Sequence, residues 1–367
     1  MKQLVFFVKH NMVMTIALFA AIVTCFFVPP DMEYLGYLDF KTLSCLFCVL
    51  AVVCAFKNIN FFYILAKSIV RIFKSARYAI LALVYITFIG SMLIANDMAL
   101  LTFLPLGYFV LTTTGNRKYM AFTFIMQNIS ANLGGMLTPF GNPQNLYLYS
   151  KFNIPVGEFG GIMLIPFIIS IILVTACCLF VENKPLEIEN DRIRLPICRT
   201  IIYSLLFVLS ILIVFRGITY YIGLNVIPAF LIFKDRRALK MVDYPLLLTF
   251  VFFFIFSGNM SRIDAVAEFN SGFLQKNTLF FTTLSCQFIS NVPSAILLSR
   301  FTSNYADLLI GVNIGGIGTL ISSLASLITF REYTLHNPGK AGRYIAEFSA
   351  YNFGFLIILL VAMLSLN

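Results

Sequence analysis

The sequence predicts an all-α polytopic membrane protein made of two inverted repeats, each with a re-entrant helical hairpin and a broken transmembrane helix. Three observations predict it. First, 60% of the 367 residues are hydrophobic and only 11% are charged. A soluble domain carries roughly a quarter charged residues and could not keep this much apolar surface out of water. Second, apolar runs follow one another along the chain, several near the ~20 residues that cross a bilayer as a helix. The longest hydrophilic run, 182–199, is too short to be a domain. Third, two pairs of runs are divided by very short polar breaks, and similar sequence follows each pair.

The runs 12–28, 42–56, 159–181, 201–215, 218–233, 244–257 and 344–366 read as membrane helices. Lys2, Lys9 and His10 ahead of the first give it the look of a signal peptide. The run is long for that role, and Pro29-Pro30-Asp31 is no small-residue cleavage site, so it reads as a retained first helix. Most of the eight cysteines lie inside apolar runs. Cys45 and Cys48 have CxxC spacing, but no second pair or nearby histidine completes a metal site, so helix packing is the expected role. The two histidines, His10 and His336, lie near run ends, which argues against His-based hydrolysis or a His-rich metal site.

The runs 78–95 and 98–111 are separated only by Asn96-Asp97. Two residues cannot join two full crossings outside the membrane. The runs 278–289 and 294–301 are separated by Ser290-Asn291-Val292-Pro293. Each tip is therefore expected within the membrane, where non-helical backbone must face protein or a water-filled cavity. A long apolar segment broken by Gly, Pro and Asn follows each pair. The first begins Asn132-Leu133-Gly134-Gly135 and the second Asn313-Ile314-Gly315-Gly316, and both carry threonine at the seventh position, Thr138 and Thr319. The tips also align, Ile94-Ala95-Asn96 with Ile289-Ser290-Asn291. Hairpin, tip and break duplicated in order are an internal repeat.

The net charge of +10 comes from short basic segments between apolar runs, which makes it a topology signal and a lipid contact rather than a nucleic-acid surface. With the N-terminus in the cytoplasm and each hairpin returning to its own side, most of the 26 lysines and arginines fall inside. Lys57, Lys67, Arg71, Lys74, Arg77, Arg192, Arg194, Arg236 and Arg237 are among them. The first hairpin then enters from the cytoplasm and the second from outside, which makes the repeats inverted. Stretches 58–77 and 261–276 mix charged and apolar residues and read as arms lying along the membrane surface. The division expected is N-terminal helices over 1–56, repeat 1 over 57–152, connecting helices and loops over 153–243, repeat 2 over 244–330, and a last helix over 331–367.

A broken helix exposes N–H groups that attract anions at one half-helix and carbonyls that can coordinate a cation at the other. Tips and breaks meeting near the midplane would form one substrate site with adjoining cation sites. The expected substrate-binding residues are Asn96, Asn132, Thr138, Asn142, Asn145, Ser290, Asn291, Asn313 and Thr319. Asp97, Asn96, Asn291, Gly134 and Gly315 are expected at the coupling site. Asp97 is the acid set deep in an apolar segment, a costly position that marks a functional group, and Val292 takes its place in the second repeat. Glu347 follows Arg343 by four residues and reads as a helix-end ion pair. There is no G-x-x-x-x-G-K-[ST] phosphate loop, so an ion gradient is the expected energy source.

The segments 94–105, 132–145 with its Thr138-Pro-Phe-Gly-Asn-Pro-Gln-Asn145, and 289–295 resemble the ion transporter superfamily. That group holds divalent anion/sodium symporters, citrate transporters and arsenite pumps, and the resemblance spans 78–360. The Asn-Asp tip is closer to the arsenite-pump and citrate-transporter-like branches, since dicarboxylate symporters favour Ser-Asn-Thr at both tips. The resemblance implies scaffold and transport domains, elevator-type motion and homodimers. The expectation is an integral protein of a bacterial-type inner membrane. It would move citrate or another di- or tricarboxylate, coupled to Na⁺ or H⁺, with no other cofactor. Arsenite or antimonite efflux and Na⁺/H⁺ antiport are the alternatives, and a membrane-embedded enzyme or a purely structural protein is the competing class.

Overall fold

The computed structural model describes residues 11–70, 72–185 and 195–366. Lys2, Lys9 and His10 ahead of the first helix, and Arg71, Arg192 and Arg194 of the charge argument, lie outside the described residues. Among the described residues the chain is helical throughout, with no strand beyond one isolated bridge between Ser75 and Pro185. Six helices are long and apolar enough to cross a membrane. The chain is therefore an all-α integral membrane protein.

The helices are α1 (Met12–Cys25), α2 (Tyr34–Tyr37), α3 (Phe40–Asn58), α4 (Phe61–Val70), α5 (Ala76–Ile94), α6 (Asn96–Thr113), α7 (Met120–Gly134), α8 (Pro143–Lys151) and α9 (Val156–Leu179). They continue as α10 (Ile197–Val214), α11 (Tyr220–Lys234), α12 (Arg236–Lys240), α13 (Tyr244–Ser261), α14 (Asp264–Lys276), α15 (Thr278–Ile289), α16 (Asn291–Leu298), α17 (Tyr305–Ile314), α18 (Leu324–His336) and α19 (Ala341–Leu366). One order of elements occurs twice. A long helix, a short arm, a hairpin, a broken helix and a second long helix make up α3–α9 and again α13–α19.

Local chemistry sets many of the ends. Asp39 accepts from Thr42 N at 2.9 Å at the start of α3. Asp243 does the same for Leu246 at α13, and Asn277 for Phe280 at α15. Each cap satisfies a backbone donor that the first helical turn leaves open. The hairpins α5–α6 and α15–α16 turn more tightly than the sequence suggests. One residue outside the helices, Ala95 or Ser290, makes each turn. Asn96-Asp97 and Asn291-Val292-Pro293 are already helical, and proline in a first turn is harmless because its missing N–H had no partner there.

Within each unit the first hairpin helix runs against the first half of the broken helix, α5 on α7 and α15 on α17. Between units the packing is reciprocal: α8 lies against α16, and α18 lies against α6. Around this centre, α1 packs on α13, while α10 and α11 pack on α3. Helix α3 is buried along most of its length, and Cys45, Cys48 and Cys54 are packed inside it. The arm α4 buries Phe62, Ile64, Ala66, Val70 and Lys67, the last with its ammonium 5.1 Å from the Phe109 ring centre. The arm α14 is open, with Leu274 its buried residue. Arg343 Nε donates to Glu347 at 2.8 Å, the helix-end pair expected from spacing.

Glycine decides how closely α7 meets α5. A Cβ at Gly134 would strike the Phe88 carbonyl and sit 2.7 Å from Ser91 Oγ, whereas one at Gly160 would meet nothing within 4 Å. Overpacking of this kind costs about 1–3 kcal/mol. Gly134→Ala is therefore expected to lower the melting temperature of the detergent-purified protein, and Gly160→Ala to leave it unchanged. With no tryptophan and eight cysteines, a thiol-reactive dye is the natural reporter of unfolding.

Candidate functional site

The two hairpin tips share one backbone solution. Ala95 sits at φ 65, ψ 152 and Ser290 at φ 75, ψ 159. This is a region essentially reserved for glycine, and a side chain there costs of order 1–3 kcal/mol. The next residue is asparagine in both, and it turns back on the chain. Asn96 Oδ1 accepts from Asp97 N at 2.9 Å, and Asn291 Oδ1 accepts from Val292 N at 2.9 Å. Each amide thereby satisfies one of the open donors at the start of the second hairpin helix.

The threonines fasten the breaks to these hairpins. Thr138 Oγ1 donates to the carbonyl of Met92 at 2.7 Å, and Thr319 Oγ1 to that of Gln287 at 3.0 Å. Both carbonyls lie three residues before the strained tip residue. Gly134 and Gly315 stand at the same contact. A Cβ at Gly315 would fall 2.7 Å from Cys286 Cβ on α15, as one at Gly134 would strike α5. Close helix approach is thus the visible use of these two glycines, and fastening is that of the two threonines.

The breaks then reach across to one another. Asn142 Nδ2 donates to Asn132 O and to Asn313 Oδ1, both at 3.2 Å. Asn313 Nδ2 donates to Asn145 Oδ1 at 2.6 Å. Asn145 Nδ2 faces the carbonyls of Gly135 at 3.1 Å and Met136 at 3.3 Å, which end the first half of its own broken helix. The tips close on the same group. Asn96 Nδ2 donates to Asn132 Oδ1 at 3.2 Å. A Cβ at Gly316 would lie 2.9 Å from Asn291 Nδ2 and 3.4 Å from Asn132 Oδ1. Asn291 N donates to Ser322 O at 2.9 Å, and Ser290 Oγ donates to the same oxygen at 3.2 Å. All nine residues expected at the substrate site therefore belong to two tips and two breaks linked by hydrogen bonds.

Asp97 lies in the first turn of α6, and its Oδ1 is buried without a hydrogen-bond partner. Asn142 Oδ1 and Gln144 Oε1 are in the same condition. A buried acceptor without a donor costs about 1–3 kcal/mol, so each of these oxygens calls for an explanation. Among the described residues no group of three or more His, Cys, Asp and Glu could hold a metal ion.

Sequence reasoning passed over Gln287 and Ser322. Gln287 Oε1 accepts from Thr319 N at 3.0 Å, and its Nε2 donates to the carbonyls of Gly315 and Ile317 at 3.0 and 3.2 Å. It does for the second break what Asn145 does for the first, but from the hairpin side. Its signal was a lone amide in the apolar run 278–289. Ser322 had none beyond its place in a polar break.

The strained tips yield a direct test. Glycine at 95 or 290 relieves a 1–3 kcal/mol strain while adding about 0.5–1 kcal/mol of unfolded-chain entropy. Ala95→Gly should melt no lower than wild type, and Ala95→Val should melt several degrees lower. An Ala95→Gly protein that melts clearly below wild type would contradict the strain.

Against this geometry stand the comparisons with known proteins. The family model described as citrate transporter matches residues 4–309. An uncharacterized transporter of Methanocaldococcus jannaschii is 35% identical over 317 residues, 86% of each chain. The inner membrane protein YbiR of Escherichia coli is 28% identical over 326 residues, 83% of each chain. An all-helical membrane protein with twofold hairpins and broken helices, matched over most of its length, is a transporter and not an enzyme: the chain belongs to the citrate transporter family.

Proposed function

We propose that this protein is a secondary transporter of an organic anion, a di- or tricarboxylate such as citrate, driven by a Na⁺ or proton gradient. The observation that carries the proposal is the meeting of helix ends at the asparagine cluster. Helices α6 and α16 begin at the tips, and α8 and α18 begin at the breaks. Four N-termini thus open toward one group of neutral amides and hydroxyls. Each N-terminus bears about half a positive charge and carries free N–H donors, so carboxylates can be held there without a lysine or arginine that would have to be desolvated. The C-termini of α5, α7, α15 and α17 end beside them and offer carbonyls to a cation.

Asp97 is the coupling group in this reading. A hard cation takes carboxylate, amide and carbonyl oxygens, and Asp97 Oδ1, Asn142 Oδ1 and Gln144 Oε1 are acceptors without donors. A proton on Asp97 would serve the same purpose by supplying the missing donor. The repeats over 57–152 and 244–330 would be inverted, with the hairpins re-entrant from opposite sides. A bacterial-type inner membrane with the N-terminus in the cytoplasm, and a homodimer, complete the reading.

Uptake of labelled citrate and dicarboxylates into proteoliposomes, under imposed Na⁺ and pH gradients, is the direct test. Asn96→Ala and Asn291→Ala should each lower uptake at least a hundredfold while the protein still purifies as a folded species. Asp97→Asn keeps the shape and removes the charge, so carboxylate binding should persist while the Na⁺ or pH dependence changes. Wild-type uptake with unchanged ion dependence in Asp97→Asn would reduce Asp97 to a structural residue. Gradient-driven flux of arsenite or antimonite in place of every carboxylate would move the substrate to the metalloid class.

A further inference from the structure

A cavity with two cationic side chains lies at the end of α10, away from the hairpin tips. Helix α10 has 18 residues, which at 1.5 Å per residue is about 27 Å, close to one hydrocarbon thickness. A helix of that length with one end at a headgroup layer brings its other end to the opposite layer. At its C-terminus the chain makes a helix stop of the usual six-to-one kind. Gly217 N bonds Leu212 O at 2.9 Å and Arg216 N bonds Ile213 O at 3.0 Å. The left-handed position of such a stop is normally glycine. Here Arg216 occupies it at φ 64, with glycine one residue later. A backbone held in a region unfavourable by about 1 kcal/mol indicates that the arginine side chain is needed at that point.

Part of the need is visible. Arg216 Nη2 donates to Tyr149 O at 2.6 Å and Nη1 to Ile154 O at 3.2 Å, and the guanidinium carbon stands 4.2 Å from the Tyr149 ring centre. Arg216 thus caps the C-terminal end of α8, a cation where the helix dipole favours one. This leaves Nε, which is buried and has no partner. Arg216 also lines a cavity of about 290 Å³ together with Lys41, Ile213, Ile218, Thr219, Tyr220 and Tyr221. Among the described residues neither Lys41 nor Arg216 forms an ion pair. The nearest acid in sequence, Asp39, keeps its charge within reach of Tyr220 but turns its oxygens to Thr42, accepting from its N at 2.9 Å and its Oγ1 at 2.6 Å. The lining is two cations, two phenols, a threonine and aliphatic walls, with no carboxylate.

We propose that this cavity binds a phosphate group, bridged between the Lys41 ammonium and the Arg216 guanidinium. Two cations facing one cavity whose lining carries no carboxylate leave room for an oxyanion between them, which would gain charge-assisted hydrogen bonds from both. Phenols and aliphatic residues beside the cations suit the headgroup region, where aromatic side chains settle. The phosphate can come from an anionic lipid or from free solution, since the recognition chemistry is the same. Because Arg216 holds the end of α8, whose N-cap is Asn142, occupancy of this cavity bears on the helix that frames the central cluster.

Two arms of one experiment on the full chain in detergent separate the sources. Native mass spectrometry measures retention of phosphatidylglycerol against phosphatidylcholine, and equilibrium dialysis measures binding of radiolabelled inorganic phosphate. Wild type should retain phosphatidylglycerol preferentially if the phosphate is a lipid's, or bind inorganic phosphate if it is free. Whichever probe binds, Lys41→Gln should weaken it about tenfold, the loss of one charge-assisted bond. Lys41→Arg should restore it, and carboxylate uptake by Lys41→Gln should persist. Lys41→Gln binding both probes like wild type, or wild type binding neither, overturns the proposal.

Discussion

The constraint on which the rest of this structure depends is the cost of unpaired backbone groups away from water. Every helix end leaves several N–H or C=O groups without intrahelical partners. This chain places four helix starts and four helix ends inside its own centre. In an apolar interior each unsatisfied group costs several kcal/mol. The asparagines answer that cost because one amide both donates and accepts. Asn145 covers the end of the first half-helix, Asn96 and Asn291 cover starts, and Asn142 and Asn313 join the two breaks. A hydrophobic side chain at any of these positions would leave an N–H or a carbonyl bare.

This is why residues that secure the fold here are also of the kind that suits ligand recognition. A group that can cap a helix end can also hold a carboxylate or a cation oxygen shell, and exchanging one partner for the other is a modest change in free energy. The buried oxygens of Asp97, Asn142 and Gln144 are left without donors, so capping at this centre is incomplete. Strain follows the same logic. Ala95 and Ser290 tolerate a backbone region that suits glycine because the helices on either side, locked by Thr138 and Thr319, leave the turn no alternative.

Much of this arrangement was legible in the sequence for a physical reason: a break inside an apolar run must be filled by polar residues, and polar residues in such runs are conspicuous. The duplicated Asn-x-Gly-Gly stretches, the seventh-position threonines and the paired Asn tips therefore pointed to the elements that meet. What stayed hidden depends on contacts between distant segments. Gln287 serves a break from a neighbouring hairpin, a relation that has no fixed spacing. Lys67 read as a surface cation on an arm, yet it is buried against Phe109, because a long aliphatic stem can be covered wherever an aromatic face receives the charge. Arg216 carries no signal in the sequence, and only its backbone angle and its carbonyl partners, Tyr149 on α8 and Ile154 just beyond it, reveal it as a cap.

The reciprocal packing of α8 on α16 and α18 on α6 has a consequence for how the molecule comes into being. A ribosome delivers the first hairpin and first broken helix about 180–195 residues before their counterparts. During that interval α8 has no α16 to rest on, and Asn142 and Asn145 have no Asn313 to meet. The half-made protein must hold polar, unpaired backbone in the membrane with only its own segments, lipid and the insertion machinery for company. Assembly is thus all-or-none at its centre: the first half waits, exposed, and the arrival of the last third completes both halves at once.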